Sequence, residues 1–181
     1  RMPQFAGRPE INSHAPHRIA LIGFMGSGKT TVGRLVAARL GYRFLDLDVL
    51  ITENAGKSIR EIFDEDGEDV FRQIESDTLY SVREMNRLVI ATGGGAPVRQ
   101  ENQEFFENLA STFYLEVSFE EFLNRTGRDH TRPLLDRSEM ELAKLYKSRV
   151  SIYRSLGQRV VTDSRKPQDI AAEILKKLEN A

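Results

Sequence analysis

The chain has 181 residues and a formal net charge of −1, with 26 Lys and Arg against 27 Asp and Glu. That length makes one domain with a substantial core, and the lack of cysteine excludes disulfides, thiolate chemistry and zinc–sulfur sites and fits a reducing compartment. Near-neutral charge gives no general attraction to nucleic acid or anionic lipid, so anion binding must come from local arginines, and no apolar run approaches a bilayer span.

Residues 1–16, RMPQFAGRPEINSHAP, lack the apolar centre of a secretory signal. They read as a flexible extension, either an expression scar or the remainder of a longer precursor, ahead of a single domain over 17–181. The run Ile19-Ala20-Leu21-Ile22 reads as a strand, and Gly23 to Thr30, GFMGSGKT, follows it directly. Strand, glycine-rich turn and helix in that order form a phosphate-binding loop: backbone N–H groups and the positive helix end face phosphate oxygens. Lys29 can neutralise charge between the terminal phosphates, and the Thr30 hydroxyl can ligate magnesium. Val32, Leu35, Val36 and Leu40 then share one face of a helix.

Phe44 to Asp48 reads as a second strand ending in two carboxylates. Strand side chains alternate, so Asp46 and Asp48 take separate jobs: one at the metal or its waters, the other at an acceptor hydroxyl as general base. The alternative is that they cap the following helix, above all Asp48. A helical region follows, SIREIF and then DVFRQIESDTLYSVREM, in which Val70, Phe71, Ile74, Thr78, Leu79 and Val82 recur at helical spacing. Within it Glu75 stands one turn after Arg72 and can orient its guanidinium, a surface ion pair being the alternative.

Leu88 to Thr92 has the pattern of a buried strand, stopped by Gly93-Gly94-Gly95 and Pro97. A polar helix over 100–108, a strand over 112–117 and a helix capped by Ser118 come next. Residues 127–135, GRDHTRPLL, then break periodicity. Arg125, Arg128 and Arg132 flank or occupy this segment, which can close over a nucleotide and exclude water or serve as an exposed basic loop. Helix 138–155, strand 159–162 and helix 167–179 complete the chain. Arg149, in KSRVSIYR, pairs with Arg72 and the triple glycine as a candidate carboxylate clamp. No histidine has a partner at useful spacing.

Single strands alternating with helices imply a parallel sheet covered on both faces, with ligands at the carboxyl ends of its strands. The glycine loop, Asp46 with Asp48, and the triple glycine all fall at such ends.

In order and spacing, GFMGSGKTTVG, FLDLD, SIREIF, FRQIE, TGGG, RTGRDHTRPLL and SRVSIYR resemble the shikimate kinase family from about Arg18 to Leu178. The resemblance implies an α/β P-loop, nucleoside-monophosphate-kinase-like fold with a five-stranded parallel sheet. It also implies an acceptor-binding region over about 48–84 and a lid over about 125–137. The implied reaction moves the terminal phosphoryl group of ATP to the 3-hydroxyl of shikimate, towards chorismate and the aromatic amino acids, with Mg2+ as cofactor.

By position, Gly26, Ser27, Gly28, Lys29, Thr30 and Thr31 would hold phosphates, and Thr30 with Asp46 the magnesium. Asp48 would meet the shikimate hydroxyls as base. Arg72 and Arg149 would grip the carboxylate, with Gly94 and Gly95 offering N–H groups and Phe63 walling the pocket. Arg132 would reach the phosphates from the lid as a catalytic arginine, and Arg125, Arg165 and Pro167 would border the adenine. Ala91 stands where some relatives carry a serine near the metal waters. A cytoplasmic monomer is expected, with ATP and shikimate as partners and neither nucleic acid nor membrane.

A kinase for gluconate or a nucleoside monophosphate would share the loop and lid but not this acceptor set. A nucleotide-binding regulatory module would lack Lys29, Asp48 or the arginines. A switch GTPase fits poorly, because the D-x-x-G of Asp64 to Gly67 follows a helical stretch and no N-K-x-D is present.

Overall fold

The computed structural model describes residues 18–109, 111–126 and 136–181. The extension over 1–16 and the irregular stretch 127–135 therefore lie outside the described residues. Five strands, β1 (Arg18–Ile22), β2 (Arg43–Asp46), β3 (Leu88–Ala91), β4 (Thr112–Glu116) and β5 (Gln158–Val161), form one parallel sheet in the order β2-β3-β1-β4-β5. Among the described residues, eight α-helices connect and cover them: α1 (Lys29–Leu40), α2 (Leu47–Ala55), α3 (Ile59–Asp66), α4 (Glu68–Ser81), α5 (Gln100–Glu107), α6 (Phe119–Thr126), α7 (Glu139–Leu156) and α8 (Pro167–Glu179).

Alternation along β1 builds a core on each face of the sheet. Ile19 and Leu21 join Val32 and Val36 of α1 and Ile170 and Ile174 of α8. Ala20 and Ile22 face the other way, towards Leu47, Ile51, Leu79 and Tyr153. Because β1 lies between β3 and β4, the connections on its two sides diverge and open a crevice at the carboxyl edge. The loop after β1, the start of α2 and the triple glycine after β3 meet there.

Several boundaries differ from the sequence reading. The second strand stops at Asp46 rather than Asp48, because the Asp46 carboxylate accepts from the Asp48 and Val49 N–H groups at 3.0 and 3.3 Å and starts α2. A side chain that satisfies two free N–H groups turns extended chain into helix. Strand alternation therefore does not separate the two aspartates: Asp48 sits in the first helical turn, and capping belongs to Asp46. The helix containing Arg72 ends at Ser81, so 83–85 are not helical. Val70 is exposed, and the buried face of α4 runs through Phe71, Glu75, Thr78 and Leu79. The helix over 100–107 is less polar than expected, with Asn102, Phe105 and Phe106 buried. Other strand ends move by one residue.

Candidate active site

The loop after β1 turns through Gly26 and Gly28 at φ 70° and 93°, a left-handed conformation that a side chain resists. Gly28 is the N-cap of α1 and offers no side-chain acceptor, and the first turn of α1 carries no acidic residue. Its N–H groups are therefore available to an anion. Lys29 Nζ donates to the Gly23 and Phe24 carbonyls at 2.7 and 2.9 Å and lies 3.3 Å from the buried Ser27 hydroxyl. The loop thus holds its own cation across its mouth.

Thr30 Oγ1 donates to Asp46 Oδ2 at 2.6 Å, while the other Asp46 oxygen caps α2. Among the described residues no group of three or more acidic or histidine side chains gathers as a metal site. One hydroxyl and one carboxylate beside a phosphate loop nevertheless fit Mg2+, which keeps several waters and completes its shell with substrate phosphates.

From this loop a cleft of about 550 Å3 runs past Asp48, Phe63 and Thr92 to Arg72, Gly94, Gly95 and Arg149. A Cβ placed on Gly93 would stand 3.0 Å from both Asp48 Oδ1 and Glu75 Oε2, so the first glycine lets two carboxylates approach the β3 end. Burial pushes the Glu75 carboxyl above its ordinary range, and the Asp48 charge adds to that shift. The Arg72 guanidinium, 2.8 Å away, opposes it. On Gly95 a Cβ would fall 2.2 Å from Arg72 Nη1, so the third glycine is required by the guanidinium lying over it.

Arg149 is 5% exposed, its guanidinium carbon 5.8 Å from the Phe24 ring centroid. Its Nη1 is buried without a hydrogen-bond partner among the described residues. Burial lowers its pKa and the neighbouring Arg72 charge acts in the same direction, while the Tyr153 hydroxyl beside the guanidinium opposes the shift. An unsatisfied buried donor costs about 1–3 kcal/mol, more when charged. Two cations this close, one with a donor unmatched, form a site that an anion completes.

A second depression, of about 480 Å3, lies on the other side of the loop, bordered by Ser27, Thr31, Arg125, Arg165 and Pro167. Arg125 bridges the loop and the end of β5, donating to Gly26 O at 3.3 Å and Thr162 O at 2.9 Å. Arg165 is fixed by Val161 O and Glu173 at 2.8 and 2.7 Å. Pro167 opens α8.

Every described candidate thus borders one of two depressions that share Gly26, Gly28, Thr31 and Arg125 in their walls, whereas Arg128, His130 and Arg132 lie outside the described residues. Sequence reasoning passed over Val49, Ile59 and Thr92 in the cleft wall, and Tyr153, whose hydroxyl donates to Gly94 O. The spacing of Tyr153 four residues after Arg149 was the available signal.

A crevice that joins a helix N-terminus to the buried Arg149 and the half-buried Arg72, at the edge of a parallel sheet with β1 central, defines a P-loop kinase of the nucleoside-monophosphate-kinase-like class. Its charge arrangement expects phosphate at one end and an acidic acceptor at the other. A profile described as shikimate kinase matches residues 25–179, and the chain belongs to the shikimate kinase family. The shikimate kinase of Trichormus variabilis is 44% identical over 158 residues, 86% of this chain and 87% of that protein. Shikimate kinase from Acinetobacter baumannii, solved in complex with shikimate, superposes with a TM-score of 0.86 at 37% identity, covering 92% of this chain and 95% of that one. A gluconokinase from Sinorhizobium meliloti reaches 0.59 at 21% identity, over 92% and 94% of the two chains, a likeness of fold alone.

Proposed function

We propose that this chain transfers the terminal phosphoryl group of ATP to the 3-hydroxyl of shikimate. The observation that carries the reading is the buried, unpartnered Nη1 of Arg149 beside Arg72, in the same cleft as the phosphate loop. A carboxylate satisfies both guanidinium groups, and Asp48 in the same cleft with the two arginines suits a polyhydroxy acid better than a base.

In this reading Arg125, Arg165 and Pro167 border the adenine, and the Gly26–Gly28 amides with Ser27, Thr30 and Thr31 cradle the phosphates. Thr30 and Asp46 would hold Mg2+, which when bound would neutralise charge on the terminal phosphates. Lys29 turns from its loop carbonyls to the phosphates and stabilises the charge that develops during transfer. Arg132 is the further phosphate-reaching arginine of the proposal. Phe63 walls the acceptor pocket, Arg72 and Arg149 hold the carboxylate, and Gly94 and Gly95 donate N–H groups. Asp48 accepts the proton as the 3-oxygen attacks: the new O–P bond forms, the bond from phosphorus to the bridging oxygen breaks, and ADP leaves with that electron pair. Ala91 offers no hydroxyl, so protein support for the metal rests on Thr30 and Asp46.

A coupled assay of ADP release, with shikimate, gluconate and AMP in parallel, tests the reading. Shikimate should turn over with kcat/KM at least about a hundredfold above the other two, since the buried Arg149 charge left unmatched costs several kcal/mol. Comparable turnover of gluconate or AMP would remove shikimate as the acceptor. A cytoplasmic setting is part of this reading, supported by a chain without cysteine, which fits a reducing compartment; no helix among the described residues is long and apolar enough to cross a membrane.

A further inference from the structure

We propose that Tyr153 is a positioning residue for the acceptor carboxylate: its hydroxyl fixes the Gly94 peptide relative to Arg149, so that the glycine loop and the guanidinium address one carboxylate as a unit. The proposal rests on the acceptor reading above. Arg149 and Tyr153 stand four residues apart on α7 and therefore share a face. Tyr153 is fully buried, and its ring lies 5.2 Å, centroid to centroid, from Tyr114. Its hydroxyl donates to Gly94 O. A Cβ on Gly94 would stand 3.3 Å from both Arg149 Nη1 and the Tyr153 hydroxyl, so the three groups meet at one point.

Three successive glycines have no side chains to anchor them, and glycine has the most backbone freedom to lose. The flanking peptides are tied locally, Ala96 N–H to Gly93 O at 3.3 Å and Val98 N–H to Gly95 O at 3.1 Å. The Gly94 carbonyl between them is held by α7 instead. Burial pushes the Tyr153 phenol up to about 12, so it stays a neutral donor across the working pH range. Pre-setting the loop removes an ordering cost from acceptor binding, leaving the nucleotide and the chemical step alone.

Tyr153→Phe keeps the ring and removes only the donor. Shikimate KM, and its Kd by calorimetry, should rise about three- to tenfold, as the loss of one neutral hydrogen bond would give. Both kcat and the KM for ATP should stay within about twofold. Combined with Arg149→Lys, the rise should be smaller than the product of the single rises, because both changes disturb one unit. An unchanged shikimate KM, an equal rise in the ATP KM, or fully multiplicative effects would overturn the proposal. Wild-type 15N relaxation gives a reading that needs no variant: the Gly94 amide without ligand should have an order parameter near about 0.85, and a value below about 0.6 counts against the tether. An indifferent Tyr153→Phe in an enzyme that phosphorylates shikimate defeats the tether alone, whereas a wild type inactive on shikimate defeats the acceptor reading and the tether with it.

Discussion

Asp46 and Asp48 end up in different surroundings because a helix begins between them. Asp46 is committed on both oxygens, one to the α2 N–H groups and the other to Thr30, which keeps it beside the phosphate loop. Asp48 is displaced into the cleft, next to Gly93 and opposite Glu75. Under the proposed function, that separation gives the metal to the first and the acceptor hydroxyl to the second. Asp48→Asn keeps the shape and removes the base, so turnover should fall by about a hundredfold or more. Calorimetry should find magnesium–ATP affinity within about twofold of wild type. A collapse of nucleotide affinity with a modest change in turnover would exchange the two roles.

At the level of elements, α3 and α7 both begin with a reciprocal cap: the serine side chain accepts the N–H of a glutamate three residues on, and that glutamate accepts the serine N–H. Ser138 and Glu141 start the helix that carries Arg149 and Tyr153, so local sequence chemistry sets the origin of one wall of the cleft. The Ser138 backbone N–H, then its side chain, holds the Glu141 carboxyl below its ordinary range. A depressed folded pKa means that this stabilisation is complete above the unfolded value of about 4.3 and is lost as pH falls through the lower folded value. Urea denaturation of Glu141→Ala should therefore show a deficit against wild type at pH 7 that shrinks as pH falls below about 4.3. A deficit that is constant with pH would mean that the carboxylate charge contributes nothing to the cap.

For the whole molecule, Phe24 joins parts that are distant in sequence. Its ring packs edge-on against Phe122 of α6 and Tyr146 of α7, at 4.8 and 5.3 Å, beneath Arg149. The phosphate loop is thereby fastened to both helices. Phe24→Ala should cost about 3–5 kcal/mol, a large part of the roughly 5–15 kcal/mol that holds a domain folded. Scanning calorimetry should show the melting temperature falling by roughly 10 °C, and a fall below about 3 °C would show that the loop does not depend on this packing. Much of the design was legible beforehand, because Gly23 to Thr30, the alternation of strands with helices and the pairing of Arg72 with Glu75 are patterns completed within a few residues or one helical turn. The start of α2 was misread because a carboxylate at a strand end is also a helix cap, and only the path of the following chain distinguishes them. The sequence by itself determined the phosphate loop, the parallel α/β class and the residue types proposed to hold an acidic acceptor. Only the tertiary structure decided that β1 would be central, that the triple glycine would lie under Arg72 and against Arg149, and that one arginine nitrogen would be buried unpaired. Those contacts join segments more than twenty residues apart in the chain, well beyond one helical turn, and packing between whole elements selects them.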